Sequence, residues 1–372
     1  MPAVASLRVE TVTAMDAVEP AAWDALAAGR SLFVSRPWLG VVELDRRAVP
    51  SYLLARDGAQ LVAALPLYEV AEESNPCYRF AEELPGVPVP TGHLVGGTRR
   101  GYRNELLGPP EASSRLAEAA LAAGRPVVFF FLGLDDAEAL AAVDGASQPL
   151  FQRPEARLEA PGASFSDYLD TLSRDRRRKV RREIEGFTAG VEVGRETVHK
   201  GLEEAAPLLV NVERKHGGDP PVEVMRGFLT ALDEAFGPRC VLFTCRRERR
   251  LVAFSLAIEW GDRLYVRAIG LDYEAEPPPG SYFNLGYYEP LRHCYERGLG
   301  GLHLGIDSYP AKVHRGARLE PLWAIVLAGD GSGPSPAAAR AWNERRLDEW
   351  RRRLEADGIS RAAAAWRLPG ER

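Results

Sequence analysis

The sequence predicts an α+β protein with two similar halves, each a mixed, mainly antiparallel sheet flanked by helices, followed by a C-terminal helix. The first observation is a repeat. Residues 51–67 (SYLLARDGAQLVAALPL) and 241–257 (VLFTCRRERRLVAFSLA) align without gaps, with Arg56 and Arg246 in register. Each copy has two apolar runs joined by a polar turn, a pattern typical of a β-hairpin. The second observation is that helical sequence precedes both hairpins, and helices and strands follow them.

The first half, residues 1–150, is predicted as one domain. Its helical segments before the hairpin are 20–29 and 35–45. After the hairpin, a Pro- and Gly-rich stretch over 71–114 predicts a long irregular insertion. The remaining predicted elements are a helix over 113–124, a strand over 125–133 and a helix over 135–143.

The second half, residues 155–330, is predicted as a second and catalytic domain, followed by a docking helix over 335–358. Ser164 and Asp167 form a plausible capping box at its first helix. Further predicted elements are helices over 203–217, 222–237 and 283–298, and strands over 263–272, 301–306 and 320–328.

Composition narrows the functional class. The chain has 372 residues, of which 46% are hydrophobic and 27% charged, with a formal net charge of −5. A polyanion would therefore have to bind to a local cluster of basic residues, because the overall charge of the protein is negative. The four cysteines are scattered, with no CxxC motif and no histidine at metal-ligand spacing, so we expect no metal site. No apolar run of membrane-spanning length and no signal-peptide pattern occur, which favours a cytoplasmic protein without membrane association.

The run SRDRRRKVRRE, residues 173–183, is the most highly charged stretch. Between Arg174 and Glu185 there are seven cationic side chains and three carboxylates. Val180, Ile184 and Phe187 follow at helical spacing, which predicts an amphipathic helix that ends in the glycines at 186 and 190. The arginines of such a helix either form a solvated face or clamp a phosphate or carboxylate. The sequence leaves both interpretations open.

Two loops contain several side chains that could take part in binding or catalysis. The stretch 305–323 leaves a predicted strand and carries Asp307, Tyr309, Lys312, His314 and Arg315. Loops that leave a sheet often bear functional residues, although this one could be an ordinary surface loop.

The second loop, in residues 273–288, is rich in Pro and Gly, and a helix starts near Tyr282–Asn284. Backbone N–H groups at a helix start favour anions. By contrast, GxSxG, the Walker loop and GxGxxG after a strand are absent from the sequence.

Four segments together resemble the GNAT acyltransferase superfamily, and in particular its double-domain branch of Fem-type aminoacyltransferases and BioF2-like acetyltransferases. They are residues 168–193, 212–218, 272–299 and 303–323. The resemblance implies two tandem GNAT-like domains that transfer an acyl or aminoacyl group onto an amine. It implies no bound cofactor, since aminoacyl-tRNA or acyl-CoA serves as co-substrate.

The resemblance also implies roles for individual residues. Lys312 matches the lysine that the family keeps near the transferred group, and Asp307 and Tyr309 are the other predicted catalytic residues. The predicted substrate-binding residues are Arg177, Arg178, Arg181, Lys215, Tyr282, Asn284, His314 and Arg315.

One departure from the family bears on the donor. Typical acetyl-CoA users carry R/QxxGxG/A before the long helix, whereas the corresponding position here reads AEPPPGSYFN. Prolines before Gly280 remove N–H donors that would otherwise hold pyrophosphate. This favours aminoacyl-tRNA as donor and a small-molecule or peptide amine as acceptor, in cell-wall or natural-product biosynthesis. The alternatives are an acyl-CoA-dependent N-acetyltransferase and a non-catalytic pair of domains that binds RNA or a protein partner.

Overall fold

A computed structural model describes residues 7–73, 75–88, 90 and 92–370 of the chain. The chain divides into two compact units. Unit 1 contains Met1–Glu155 and Leu319–Arg372, and unit 2 contains Ala156–Arg318.

The bounds of the strands and helices in the two units are as follows. The strands are β1 (Arg8–Val12), β2 (Ala48–Asp57), β3 (Gln60–Val70), β4 (Leu94–Gly96), β5 (Val127–Leu132), β6 (Leu150–Glu159), β7 (Glu192–Thr197), β8 (Cys240–Arg247), β9 (Arg250–Trp260), β10 (Arg263–Leu271), β11 (Gly301–His303) and β12 (Arg318–Leu327). The helices are α1 (Pro20–Ala27), α2 (Arg36–Glu43), α3 (Phe80–Glu83), α4 (Pro110–Ala122), α5 (Leu134–Ala141), α6 (Phe165–Thr171), α7 (Arg174–Thr188), α8 (Val198–Lys215), α9 (Val222–Phe236), α10 (Ser281–Phe283), α11 (Glu289–Arg297), α12 (Tyr309–Val313) and α13 (Pro336–Ala356). Short 3₁₀ turns occur at Met15–Ala17, Leu32–Val34, Pro76–Tyr78, Gly237–Arg239 and Ser360–Ala363, and a π-helical turn covers Asn284–Tyr288.

The two units repeat one sheet plan. The strand order is β1-β2-β3-β4-β5-β12 in unit 1 and β7-β8-β9-β10-β11-β6 in unit 2. In each, the two inner strands β4 and β5, or β10 and β11, run parallel and are joined through a helix, α4 or α11. The other neighbouring strands within each unit pair antiparallel. The α+β class with a mixed, mainly antiparallel sheet is therefore confirmed.

The predicted hairpin repeat is present as β2–β3 and β8–β9. Both hairpins shift register at the aligned positions, between Ala55 and Arg56 in one and between Cys245 and Arg246 in the other. A shared β-bulge at one aligned step bends both hairpins at the same place. The polar turn of the second hairpin is built without glycine, since Glu248 itself has a φ of 49°.

The core of each unit consists of apolar strands covered by helices. All six residues of β5 (VVFFFL) are buried, as expected for a strand covered on both faces. In unit 2, β9 is buried from Leu251 through Ile258. Trp342, Trp350 and Leu354 are buried along α13, which packs the C-terminal helix onto unit 1.

The division between the units falls within a strand. It lies between Glu155 and Ala156, inside β6. The last strand, β12, pairs with β5 and belongs almost wholly to unit 1, whereas the range 155–330 includes it. The domain ranges read from the sequence stay predictions.

The described residues contain neither a membrane-spanning helix nor a metal-binding group of side chains. No helix there is long and apolar enough to cross a membrane. No group of three or more His, Cys, Asp or Glu side chains there is placed to hold a metal ion.

Candidate active site

The charged run of the sequence forms most of α7, a separate helix from α6. The capping box of Ser164 and Asp167 starts α6, and the chain breaks at Leu172–Ser173 before α7 begins at Arg174. The helix continues through Gly186 to Thr188, so that glycine does not end it as predicted. Val180 and Phe187 are the buried residues of α7 and fix which face it turns to the sheet.

A cavity of about 260 Å³ opens along that face of α7. Its lining residues are Asp175, Arg176, Lys179, Val180, Glu183, His314 and Arg315. The charged residues on α7 lie three or four positions apart, so one helix face presents them together. Arg176 and Lys179, together with the carboxylates of Asp175 and Glu183 and the imidazole of His314, therefore border a space large enough for an anionic group.

A buried ion pair between α7 and the end of α12 forms one wall of this cavity. The Nη2 group of Arg315 donates to both carboxylate oxygens of Glu183, at 2.9 and 2.7 Å. Its Nε–H donates to the hydroxyl of Tyr288 at 2.8 Å, and that hydroxyl donates to Glu183. Burial raises the pKa of Tyr288, so the hydroxyl keeps the proton that it donates. We call Glu183, Arg315 and Tyr288 the α7–α12 clamp.

The guanidinium of Arg315 is occupied on every side. Its Nη1 donates to the carbonyl of Ala311 at 2.9 Å, and its central carbon lies 3.3 Å from the centroid of the Phe283 ring. Arg315 is 4% exposed. Since its donors already serve protein groups, it holds elements together rather than presenting a free charge.

The start of the long helix is fixed by a glycine and an asparagine. Gly280 has a φ of +83°, and a Cβ there would lie 3.2 Å from the carbonyl oxygen of Glu183, so a larger residue would be strained. The Asn284 amide nitrogen donates to the carbonyls of Glu183 and Gly280, each at 3.0 Å. The π-helical turn then begins at Asn284, a geometry that is frequent at functional sites.

The amides of this loop are already committed. Those of Ser281, Phe283 and Asn284 donate to the carbonyls of Pro278 or Gly280. Residues 277–279 are prolines and carry no N–H at all. The loop therefore offers few of the backbone donors that cradle a pyrophosphate.

Lys312 is buried at the end of β11. A turn in which Asp307 and Ser308 have φ values of 62° and 48° reverses the chain into α12. Lys312 Nζ then donates to the carbonyls of Leu304 and Ile306, at 2.7 and 2.6 Å. Burial lowers the pKa of Lys312 to about 7, and Asp307 opposes that shift.

The two parallel strands separate next to Lys312. The last residues paired between β10 and β11 are Tyr265 and His303, although β10 continues to Leu271. The chain after β11 instead pairs with Ala156, through Leu304 and Gly305. Beyond Tyr265 the backbone of β10 is therefore unpaired with β11, and this opening lies beside the carbonyls that Lys312 holds.

The structure brings part of the predicted site together. Asn284 and Arg315 meet through Glu183, and His314 lines the cavity. Burial, with nearby Arg176 and Lys179, lowers the pKa of His314.

Two predicted catalytic residues lie close to Lys312 along the chain. Tyr309 is 1% exposed, and its ring centroid lies 5.8 Å from Lys312 Nζ. Asp307 is exposed in the turn before α12 and interacts electrostatically with Lys312.

The other predicted substrate-binding residues lie outside the cavity. Arg177 pairs with Asp170 at 2.8 Å, and Lys215 lies 4.6 Å from the ring centroid of Tyr273. Tyr282 packs against Phe283 and Tyr287.

Arg178 and Arg181 are exposed on the side of α7 opposite the cavity-lining residues. Their role in substrate binding stays a prediction.

Sequence reasoning missed four residues of the site. Arg176, Lys179 and Glu183 line the cavity, and Tyr288 completes the clamp. A signal was present, because Arg176, Lys179 and Glu183 share a helix face with buried Val180 and Phe187.

Comparison with known proteins concerns the second half of the sequence and the fold. Residues 155–330 match the FemAB-like family model, which is described as peptidoglycan biosynthesis/recognition. This segment, a little under half of the chain, is therefore similar to the FemAB-like family. No curated protein matches its sequence.

Solved structures share the fold of this chain at low sequence identity. A crystal structure of FemX is 12% identical, covers 86% of this chain and 98% of its own, and superposes with a TM-score of 0.59. A conserved protein of unknown function from Bacteroides thetaiotaomicron is 12% identical, with coverage of 83% and 98% and a TM-score of 0.53. A tandem GNAT protein from the clavulanic acid biosynthesis pathway is 14% identical, with coverage of 88% and 100% and a TM-score of 0.47. The superposition with FemX agrees with the predicted fold class of two similar α+β units.

Proposed function

We propose that this acyltransferase moves an aminoacyl group from aminoacyl-tRNA to the amine of a small-molecule or peptide acceptor. The observation that carries the donor assignment is the loop before α10. Residues 277–279 have no N–H, and the amides of Ser281, Phe283 and Asn284 donate within the loop. The loop therefore has few free N–H groups to bind the pyrophosphate of an acyl-CoA donor. An aminoacyl-tRNA donor does not need such groups.

The charge of α7 supports an RNA donor. Arg174, Arg178, Arg181 and Arg182 are exposed, and within the described residues none of them forms an ion pair. Unpaired arginines along one helix are suited to phosphates of a nucleic-acid backbone. A local patch of this kind is needed, because the chain as a whole has a net charge of −5.

The acceptor is proposed to place an anionic group in the cavity beside α7. Arg176, Lys179 and His314 border that cavity, and neither Arg176 nor Lys179 forms an ion pair within the described part of the chain. A phosphate or carboxylate of the acceptor would neutralise them. The family description, peptidoglycan biosynthesis/recognition, supports a cell-wall precursor or a related peptide as acceptor.

Lys312 is the proposed catalytic residue. Attack of the neutral acceptor amine on the ester carbonyl generates a tetrahedral oxyanion, and a buried ammonium stabilises such a charge strongly. With two hydrogens held by the carbonyls of Leu304 and Ile306, the protonated amine keeps a third for the oxyanion. The proton of the acceptor amine leaves with the 3′-terminal hydroxyl of the tRNA, so the exchange of the ester for an amide is balanced.

One observation favours a second candidate, an acyl-CoA donor. Beyond Tyr265 the strand β10 is not paired with β11, which leaves backbone groups for the amides of an extended acyl carrier. An acyl-CoA-dependent N-acyltransferase would use the same Lys312 and the same cavity.

The two donors are separated by direct binding. The purified full chain is titrated with bulk charged tRNA and, separately, with acetyl-CoA, each at low and at moderate salt. We expect salt-sensitive binding of tRNA and no binding of acetyl-CoA. Binding of acetyl-CoA without binding of tRNA would sink the aminoacyl-tRNA proposal.

The alternative that the protein binds RNA without catalysing a reaction is tested with the same purified chain and charged tRNA. Charged tRNA that binds should lose its amino acid faster in the presence of an amine acceptor, and Lys312→Ala should remove that effect without weakening tRNA binding. Equal loss of the amino acid with wild type and with Lys312→Ala would contradict a catalytic role of Lys312.

A further inference from the structure

A buried ion pair borders the proposed anion cavity, and in it the negative charge of Glu183 compensates the positive charge of Arg315. The side chains of Glu183 and Arg315 are 13% and 5% exposed, and both line the cavity. The carboxylate receives two hydrogen bonds from one guanidinium nitrogen. A cation at the wall of an anion site is thus neutralised by a carboxylate of the same wall.

We propose that Glu183 is a positioning residue that holds Arg315 away from the substrate anion and thereby sets the positive charge of the cavity. The inference rests on the proposed function, because it requires an anionic group of the acceptor in this cavity. Arg176 and Lys179 then supply the binding charge, whereas Arg315 supplies geometry.

The partners of Arg315 show that its counter-charge comes from the carboxylate of Glu183. Tyr288 and the carbonyl of Ala311 are neutral acceptors, and Phe283 is an aromatic face. Only Glu183 carries the compensating charge. Without it, a guanidinium that is 4% exposed keeps neutral partners only, which is unfavourable in a poorly solvated site. An anion in the adjacent cavity would then become its counter-ion.

The clamp also fixes the spacing between the cavity and the catalytic lysine. Arg315 follows Lys312 by three residues, and its contacts tie that segment to Glu183 on α7 and to Tyr288 in the π-helical turn. Tyr168 strengthens the same connection, since its hydroxyl donates to the carbonyl of Arg315 at 3.0 Å. Releasing Arg315 towards an anion would therefore tighten anion binding while displacing Lys312 from its working position.

The test compares two glutamates of the same helix. Glu183→Gln and Glu185→Gln each remove one negative charge from α7, but Glu185 is exposed and has no ion pair within the described residues. The probe is inorganic pyrophosphate, titrated calorimetrically into the full chain. We expect Glu183→Gln to bind it about 10-fold more tightly than wild type, which corresponds to one added charge-assisted hydrogen bond. Glu185→Gln should change the affinity less than about two-fold by the same scale.

A purely structural role of the ion pair would give the opposite result. Loss of a structural clamp loosens the cavity, so binding to Glu183→Gln would be weaker than to wild type. Weaker or unchanged binding, in a variant with a wild-type circular dichroism spectrum, overturns the inference while the proposed function stands. Wild type that binds no pyrophosphate, or binds it equally with Lys179→Ala, overturns the cavity assignment and this inference with it.

A double variant covers the case in which Glu183→Gln does not fold. Glu183→Gln with Arg315→Met removes both charges of the pair, a change that buried ion pairs often tolerate. Its pyrophosphate affinity should return to that of wild type, because no guanidinium remains to be released. Tighter binding by this double variant would also overturn the inference.

Discussion

Two arginine-rich helices, α7 and α13, differ in what neutralises their charge. α7 has seven cationic side chains and three carboxylates, and α13 has six arginines and four carboxylates. On α13 the arginines pair locally, as Arg340 does with Glu344 four residues away. The other local pairs and ring contacts on α13 involve Arg345, Arg346, Arg351 and Arg353.

On α7 the compensation is largely absent. Arg177 pairs with Asp170, and the Glu183 carboxylate is taken by Arg315, which lies on another element. Six cations of α7 have no ion pair within the described residues, namely Arg174, Arg176, Arg178, Lys179, Arg181 and Arg182. Counting arginines would treat the two helices alike, whereas the difference in their partners supports the proposal that α7 meets an external anion.

The largest effect should come from the cavity-facing cations. Arg176→Ala with Lys179→Ala removes two charge-assisted contacts, worth about 1.5–3 kcal/mol each. We expect pyrophosphate affinity to fall by roughly 100-fold or more in a calorimetric titration. The control variant, Arg345→Ala with Arg352→Ala, removes the same amount of charge from α13. An equal loss of pyrophosphate affinity in that variant would contradict the distinction between α7 and α13.

The buried Lys312 extends the comparison to a cation inside the protein. Its pKa is about 7 when folded and near 10.5 when unfolded, so the unfolded chain binds more protons between those values. Wild-type stability should therefore gain a contribution of a few kcal/mol as pH rises from about 7 to 10.5. Lys312→Met should remove that contribution, as measured by urea unfolding at several pH values. The exposed Lys200 is the control, and Lys200→Met should keep the wild-type dependence.

The smallest effects concern stability and have opposite signs on the two helices. Arg178 lies four residues from both Arg174 and Arg182, so Arg178→Ala relieves repulsion and should raise the free energy of unfolding by a few tenths of a kcal/mol. Arg340→Ala removes an exposed ion pair and should lower it by up to about 0.5 kcal/mol. Chemical denaturation at low salt measures both changes, and loss of stability in both variants would contradict the assignment of α7.

Local patterns in the sequence predicted much of the fold. The gapless repeat identified two hairpins, and the structure adds that both bulge at the aligned step. The capping box at Ser164 fixed the start of α6. The break before α7 was missed, because Leu172–Ser173 contains neither glycine nor proline to mark it.

Sequence patterns pointed to Asn284 at the start of a helix and to His314 and Arg315 in the loop that follows β11, and the structure places all three at the cavity or the clamp. Glu183 was missed because its partner Arg315 lies 132 residues away, and no local pattern links them. Arg176 and Lys179 lie on the face of Val180 and Phe187, whereas Arg178 and Arg181 lie on the opposite face, a distinction that the apolar spacing carried and the sequence prediction did not use.

Binding of bulk charged tRNA to three proteins in parallel tests most directly whether α7 meets an RNA donor. The proteins are wild type, Arg178→Ala with Arg181→Ala on α7, and Arg340→Ala with Arg351→Ala on α13, each titrated across a salt series by fluorescence anisotropy. The α7 variant should bind at least about 10-fold more weakly at low salt and show a shallower salt dependence, because two phosphate contacts are lost. The α13 variant should match wild type. Equal weakening by both variants, or no weakening by either, would contradict the assignment of α7 as the RNA-facing helix.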